Sequence, residues 1–363
     1  MEFRRYFGRL SVFIILNAVN TSMVEENLTK DFENKDINKA ILELLHINKL
    51  SVLQQTKPHP YMMQVYLLLN MQDTRQRSDA DVTLVQSFRS VQGTKYNIPG
   101  WIWFKISHLR PSMTAAELIL LRKTLYPEPL TITVTVHSIL HIAGNLSISG
   151  SLTEQQLTMN QPPPSGYDVF NVTAALSQRL HGTQILGFQL RFKDENGSLV
   201  LHEALTQSLY CLNGSSLSQP LLVAYRDQPV KHQSFKHRQR QYRRDKQQKP
   251  RQQRSVVETT CKLSEHHINI HNTELSQWIL QPTSFNISFC RGVCMQKQAK
   301  FSVAEETPQI KSTKNNVFES SNCVPELLSS VTVMYRSDTD DIFIKELKEI
   351  RAEKCLCQPK NKY

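Results

Sequence analysis

The sequence predicts two folding units of different class: an α+β N-terminal domain with a helical arm and a β-sandwich body, then a small, all-β-dominated, disulfide-rich C-terminal domain. Three observations predict this. Six of the 7 cysteines lie in the last third of the 363 residues, at Cys261, Cys290, Cys294, Cys323, Cys355 and Cys357. Apolar residues recur at helical spacing in the first part of the chain and in alternating or β-branched runs from Trp101 onward. Between the cysteine-poor and cysteine-rich parts runs a basic segment, residues 231–254, without the apolar clusters needed to bury a core.

Residues 1–22 read as a signal peptide, because Arg4, Arg5 and Arg9 precede the apolar run Leu10–Leu16 and the small residues Ala18 and Thr21 follow it. That run is too short to span a bilayer, and no later stretch reaches such a length. No membrane span is therefore expected, and the product is expected to be soluble outside the cell. Asn-x-Ser/Thr sequons at Asn20, Asn27, Asn145, Asn171, Asn196, Asn213 and Asn286 fit that route. All but Asn20, which lies inside the leader, are candidate glycosylation sites. A single sequon arises easily by chance; this number, with the leader and the clustered cysteines, favours an oxidising compartment.

Behind the leader, Ile37, Ile41, Leu44 and Leu45 fall at helical spacing and predict an amphipathic helix from Asp36 to Leu50. Pro58-His-Pro60 breaks it, and Tyr61–Leu69 is a second helix candidate. Strands are expected at Trp103–Ser107, Glu117–Arg122 and Thr131–Val136, a loop at Pro162–Gly166, and a last strand at Leu221–Tyr225. Cys211 is the one cysteine of this domain, and an odd thiol in an oxidising compartment implies an intermolecular pair or a free buried sulfhydryl.

The formal charge of +11 invites a nucleic-acid partner, but its distribution argues against one. Between Lys231 and Arg254 ten Lys or Arg face the single Asp245, a net +9, while residues 255–363 carry thirteen of each sign. Positive charge gathered in a Gln- and Arg-rich run is an exposed, protease-accessible linker rather than a phosphate-binding surface. Within it, Arg251-Gln-Gln-Arg254 has the Arg-x-x-Arg form of a proprotein-convertase site, with cleavage before Ser255. Arg240-Gln-Tyr-Arg243 fits the same form, less well positioned.

The C-terminal domain, residues 255–363, has few obvious helices. Leu263–Ile270 alternates loosely, and Val331–Tyr335 and Ile342–Glu346 flank Asp338-Thr-Asp-Asp341 as a hairpin. Such long, thin hairpins are expected to bury little apolar area, so disulfides worth about 2–4 kcal/mol each must compensate. Cys290-Arg-Gly-Val-Cys294 and Cys355-Leu-Cys357 are spaced to close a small ring, in which Gly292 leaves room for another segment. Six cysteines allow fifteen pairings, and spacing alone does not choose among them. His266, His267 and His271 have no HExxH or paired CxxC company, and no nucleophile elbow or phosphate loop appears. No metal, cofactor or catalytic activity is inferred.

The chain resembles a precursor of the transforming growth factor-β superfamily, nearest its bone morphogenetic protein, growth/differentiation factor and nodal branch. In the C-terminal part the likeness rests on Cys261-Lys, Trp278-Ile-Leu-Gln-Pro282, Phe289-Cys-Arg-Gly-Val-Cys294, Cys323-Val-Pro325, Val331–Tyr335 and Ile350–Cys357. In the N-terminal part it rests on Ala40–Leu45, Pro60-Tyr-Met, Ser87-Phe-Arg89, Ala116-Glu-Leu118, Asp168–Thr173 and Leu221-Leu-Val.

That resemblance implies the bonds Cys261–Cys323, Cys290–Cys355 and Cys294–Cys357, the first threading the ring closed by the other two. It implies residues 23–230 as a prodomain that wraps the growth factor, and residues 255–363 as a cystine-knot growth factor with two β-hairpin fingers, a short wrist helix and a dimeric assembly. The function implied is a secreted growth-factor or cytokine ligand that bridges type I and type II serine/threonine-kinase receptors. Trp278 would lie on the wrist surface for type I receptors, or serve only to pack the thin finger. Gln281, Asn286, Thr332 and Ile344 would face type II receptors. Asn322 stands where the family usually has the cysteine that links two subunits, so any homodimer or heterodimer is expected to be non-covalent. Pro308 interrupts the segment of the wrist helix, Leu275 replaces a common aromatic residue, and Leu356 replaces a frequent glycine. The alternatives are an antagonist or heterodimer partner of related ligands, or an extracellular ligand-sequestering cystine-knot module.

Overall fold

The structure, a computed structural model, describes residues 28–47, 57–71, 82–91, 98–123, 127–142, 145–178, 184–198, 202–213, 218–226, 261–294, 321–339 and 341–359. The expected leader, the linker with Arg251, Arg254 and Ser255, the segment expected to hold the wrist helix, and Asn20 and Asn27 lie outside these residues.

Two helices open the chain. Helix α1 spans Leu28–Leu44, earlier at both ends than the expected Asp36–Leu50: its mostly polar first turns hide the start, and a left-handed residue stops it before Leu50. It closes with His46 in the left-handed region at φ 59, where Ile47 N–H donates to the Leu42 carbonyl (2.9 Å) and His46 N–H to that of Glu43 (3.0 Å). This Schellman pair satisfies carbonyls that the helix leaves open. Helix α2 spans Pro60–Asn70, with proline at its start and the buried His59 as N-cap, whose Nδ1 accepts from Tyr61 N–H at 3.2 Å.

The strands follow: β1 (Val82–Arg89), β2 (Trp101–Lys105), β3 (Ala115–Leu120), β4 (Thr131–Ile142), β5 (Asn145–Thr158) and β6 (Asp168–Asn171). After them come helix α3 (Thr173–Gln178), β7 (Ile185–Lys193), helix α4 (His202–Leu209) and β8 (Leu221–Tyr225). A four-stranded sheet in the order β2-β7-β4-β5 packs on β1, β8 and β3 of a larger sheet. Val134, Val136, Phe188 and Phe192 from one layer meet Leu118, Leu120, Leu222 and Ala224 from the other in one fully buried core. The period-2 alternation of the four-stranded sheet puts these residues inward and Thr133, Thr135 and Arg191 on the other face. Cys211 is a free thiol, half-buried, its N–H donating to the Leu121 carbonyl at 3.1 Å.

The C-terminal part contributes β9 (Lys262–Asn269), β10 (Ile279–Gln281), β11 (Ser284–Arg291), β12 (Ser321–Arg336) and β13 (Ile342–Pro359). β9 and β11 form one antiparallel hairpin. β12 and β13 form a second, register-paired from Ser321↔Pro359 to Arg336↔Ile342. The turn between them is held by the Ser337 N–H donating to the Asp341 carbonyl at 2.9 Å.

These strands do not form a sheet of their own. β13 pairs antiparallel with β1 from Val82↔Glu346 to Ser87↔Ile342, so the large sheet runs β10-β12-β13-β1-β8-β3-β6. The expectation that the hairpin buries little apolar area is therefore overturned. Val333, Met334 and Ile344 are 0 % exposed, because the N-terminal half supplies the surfaces that a thin hairpin lacks.

Candidate functional site

The site begins with the sulfurs. Cys261 bonds Cys323, Cys290 bonds Cys355 and Cys294 bonds Cys357, with Cα separations of 5.5, 5.7 and 5.6 Å that are ordinary for disulfides. The three Sγ atoms of Cys261, Cys294 and Cys357 lie within 4.8 Å of one another. Each is engaged in a bond, so this cluster offers no thiolate to a metal. Cys261 Sγ lies 3.7 Å from the Leu356 carbonyl, which sets the first bond against the backbone of the small ring made by the other two. Gly292 sits in that ring at φ 130, a conformation side chains rarely adopt.

Away from the knot, the tip of the β12–β13 hairpin lies between two helices. On one face Val331, Val333, Tyr335 and Phe343 pack with Trp278 and Leu275 against Ile37 and Ile41 of α1 and Leu45 just beyond it. On the other, Met334, Ile342 and Ile344 meet Tyr61, Met62, Val65 and Tyr66 of α2. Each fully buried large aliphatic side chain contributes about 1.5–3 kcal/mol.

Directed bonds join the same parts. Lys345, 5 % exposed, donates from Nζ to the Leu44 carbonyl at 2.7 Å, setting a cation on the C-terminal end of α1 where the helix dipole favours it. Tyr66 OH donates to the Thr332 carbonyl and Ser87 Oγ to the Ile342 carbonyl, both at 3.3 Å. The Arg110 guanidinium stands 5.5 Å from the centre of the Phe343 ring.

Helix α2 is anchored in turn to the sandwich. Tyr61 OH and Tyr225 OH both donate to Glu117 Oε2, at 2.8 and 2.7 Å. Burial and the adjacent Glu117 carboxylate push the Tyr61 hydroxyl well above the usual phenol range, so it remains a donor. At the start of the same helix, burial and then the Arg89 guanidinium lower the His59 imidazole to about 4. Its Nδ1 is consequently free of a proton at neutral pH and can accept the capping bond.

The five residues expected at receptor surfaces divide. Trp278 (0 % exposed), Ile344 (0 %) and Thr332 (5 %) are buried beneath the N-terminal helices or the hairpin core in the chain in this form. Trp278 packs here. Gln281 and Asn286 are half-exposed, with Asn286 Oδ1 2.7 Å from His267 Nδ1. Asn322 is exposed and pairs in register with Gln358. His59, Tyr66, Glu117 and Lys345 escaped the sequence reading. The only signal for their setting was the unbroken apolar run Ile342-Phe-Ile344, the mark of a strand covered on both faces. Among the described residues no helix is long and apolar enough to cross a membrane.

Comparison with known proteins identifies the knotted part. Residues 260–357 match the family model described as the transforming growth factor beta like domain. Bone morphogenetic protein 3 of Xenopus laevis and that of Homo sapiens are each 26 % identical over 88 residues, covering 23 % of this chain and 19 % of the relative. Protein decapentaplegic of Drosophila pseudoobscura pseudoobscura is 23 % identical over 105 residues, covering 28 % of this chain and 17 % of the relative. The match thus spans under a fifth of each relative's length. Residues 260–357, the knotted C-terminal part, match a transforming growth factor beta like domain and are the part of the chain with this family's signature, while the curated relatives it resembles are bone morphogenetic protein-like ligands.

Proposed function

We propose that this chain is the precursor of a secreted growth-factor ligand, cleaved after Arg254, whose residues 255–363 bridge type I and type II serine/threonine-kinase receptors. In this reading residues 1–22 are a signal peptide, 23–230 the prodomain and 231–254 the linker. The observation that carries it is the double cover of the β12–β13 hairpin: an apolar surface around Trp278 and Ile344 buried by helices encoded upstream of the basic segment 231–254 with its Arg-x-x-Arg motif. Large apolar side chains of this kind anchor interfaces when uncovered. Trp278, Thr332 and Ile344 become available to a receptor only as α1 and α2 withdraw, whereas Gln281 and Asn286 are partly open beforehand. The prodomain is then both partner and competitor of the receptors.

Arg254→Ala tests the reading. The variant is expected in the medium as uncut precursor, inactive in a reporter of receptor-kinase signalling, while the cut wild type signals. A product still beginning at Ser255, or equal signalling from the uncut chain, would contradict it.

One observation favours a second reading. Asn322 stands where a subunit-linking cysteine is usual, and it is exposed beside the knot. A ligand that pairs non-covalently exchanges partners, so the chain also fits an antagonist or heterodimer partner of related ligands. Leu263, Val293 and Leu327, exposed by 37, 63 and 51 % at the same end, supply apolar surface for such pairing. Co-expression with a related ligand, read on non-reducing and native gels together with the reporter, separates homodimer agonist from heterodimer or antagonist.

A further inference from the structure

We propose that Asn286 is an N-glycosylation site that the fold itself closes: it accepts an oligosaccharide only before its strand pairs, whereas Asn196 remains an acceptor in the folded chain. The inference rests on the secreted reading above. In the transfer, Asn Nδ2 forms a bond to the anomeric carbon of a lipid-pyrophosphate-linked oligosaccharide. The bond from that carbon to the pyrophosphate oxygen breaks, and the proton lost by Nδ2 leaves with the pyrophosphate. The transferase reads both the Asn amide and the hydroxyl two residues on, so both must be reachable.

In the folded chain the Asn286 sequon is committed elsewhere. Asn286 lies opposite His267 in the β9–β11 ladder, with Oδ1 held 2.7 Å from His267 Nδ1, and its carbonyl accepts from Arg351 Nε at 3.1 Å. The Ser288 hydroxyl is buried at 6 % exposure and donates to the Ala352 carbonyl at 2.5 Å, beside the parallel bridge Ser288↔Arg351 that joins β11 to β13. An acceptor loop cannot form there without breaking these bonds and leaving buried polar groups unpaired. The Cys290–Cys355 bond, two residues beyond Ser288, then ties the same two strands covalently. A sugar added earlier is nonetheless compatible with the finished fold. Asn286 is half-exposed, and its bond to His267 uses Oδ1 rather than the nitrogen that carries the sugar.

Asn196-Gly-Ser198 is the opposite case. All three residues are exposed in the turn between β7 and α4. The turn is held through backbone N–H groups, Asn196 and Ser198 donating to Asp194 Oδ1 at 2.9 and 2.7 Å, so the sequon's side chains do not build it.

The test uses the full precursor made by secretory cells, with occupancy read site by site by mass spectrometry and Asn286→Gln as the assignment control. Both sites are expected to carry glycan, and dithiothreitol present during synthesis should raise Asn286 occupancy about twofold or more by delaying disulfide closure, with Asn196 unchanged. Unglycosylated precursor, oxidised and folded, is then offered to purified transferase with lipid-linked oligosaccharide; Asn196 should be modified and Asn286 left bare. Modification of folded Asn286 at the rate of Asn196 overturns the proposal. So does an Asn286 that stays empty in cells, with or without reductant, while Asn196 is occupied. If both sites are empty in cell-made protein, the secreted reading fails and takes the proposal with it.

Discussion

The two ends of the β12–β13 hairpin are stabilised by different physics. At the base, Cys323, Cys355 and Cys357 tie the strands to Cys261, Cys290 and Cys294 at or just beyond the ends of β9 and β11, and of these six only Cys294 is buried. At the tip no disulfide reaches, and Val333, Met334 and Ile344 are wholly buried with help from the N-terminal part, Ile37 and Ile41 on one face and Tyr61, Val65 and Val223 on the other. The base carries its own constraint wherever the C-terminal part goes. The tip shares its core with the N-terminal part, and under the proposed cleavage would lose that share when the N-terminal part leaves. In one hairpin, permanence and reversibility are thus separated by about ten residues of strand.

Breaking the base should have the largest effect. Cys294 and Cys357 close a loop of sequence separation 63, for which loop entropy gives about 4 kcal/mol. Replacing both by serine should lower secreted yield sharply and reduce the urea midpoint, while amides at the hairpin tip stay protected in whatever folded precursor is recovered. Simultaneous loss of protection at the tip would mean that the two ends are not independent.

Breaking the tip comes next. Trp278→Ala removes a fully buried indole from the cluster under α1 and should cost about 3–4 kcal/mol. The expected readout is weaker retention of the cleaved N-terminal part in a pull-down, with the three disulfides intact by peptide mapping. Unchanged retention would remove Trp278 from the cover.

A smaller effect sharpens the comparison, because only the tip is covered by a pH-sensitive helix. His59 titrates at about 4 when folded against an ordinary 6.5. The unfolded chain therefore takes up a proton between pH 6.5 and 4 that the folded cap excludes. Stability contributed by the neutral cap is fully present above pH 6.5, declines through that window by about 1.4 kcal/mol per pH unit at most, and falls no further below pH 4. His59→Asn keeps a capping side chain without the titration, so its unfolding midpoint should fall less than that of wild type between pH 7 and 4.5. Equal pH slopes would show that the cap does not titrate in this range.

Much of this was legible in the sequence. β8 occupies the expected Leu221–Tyr225, and β4 and the β12–β13 hairpin contain the expected runs but extend beyond them. Strand extension past an alternating run is set by partners rather than by local pattern. The cysteine clusters located the knot, and the family resemblance supplied its pairing. What could not be read was which surfaces cover which. The pairing of β1 with β13 joins segments about 260 residues apart, and nothing local in Val82–Arg89 encodes that partner. Trp278 was ambiguous for the same reason: an aromatic residue next to a thin hairpin is an anchor or a core residue according to whether another segment covers it. Nothing local to Lys345 marks it for burial, and the end of α1 gives it that role.

The central claim, that the finger tip depends on the N-terminal part while the knot does not, is tested most directly by amide hydrogen exchange. It compares the intact precursor with residues 255–363 freed by cleavage and separated from the rest. Amides of Phe343–Glu346, along the strand that pairs with β1, should exchange at least about tenfold faster in the freed form, whereas those of Val324 and Leu356 beside the knot should keep their protection. Equal protection of Phe343–Glu346 in both forms would contradict the account.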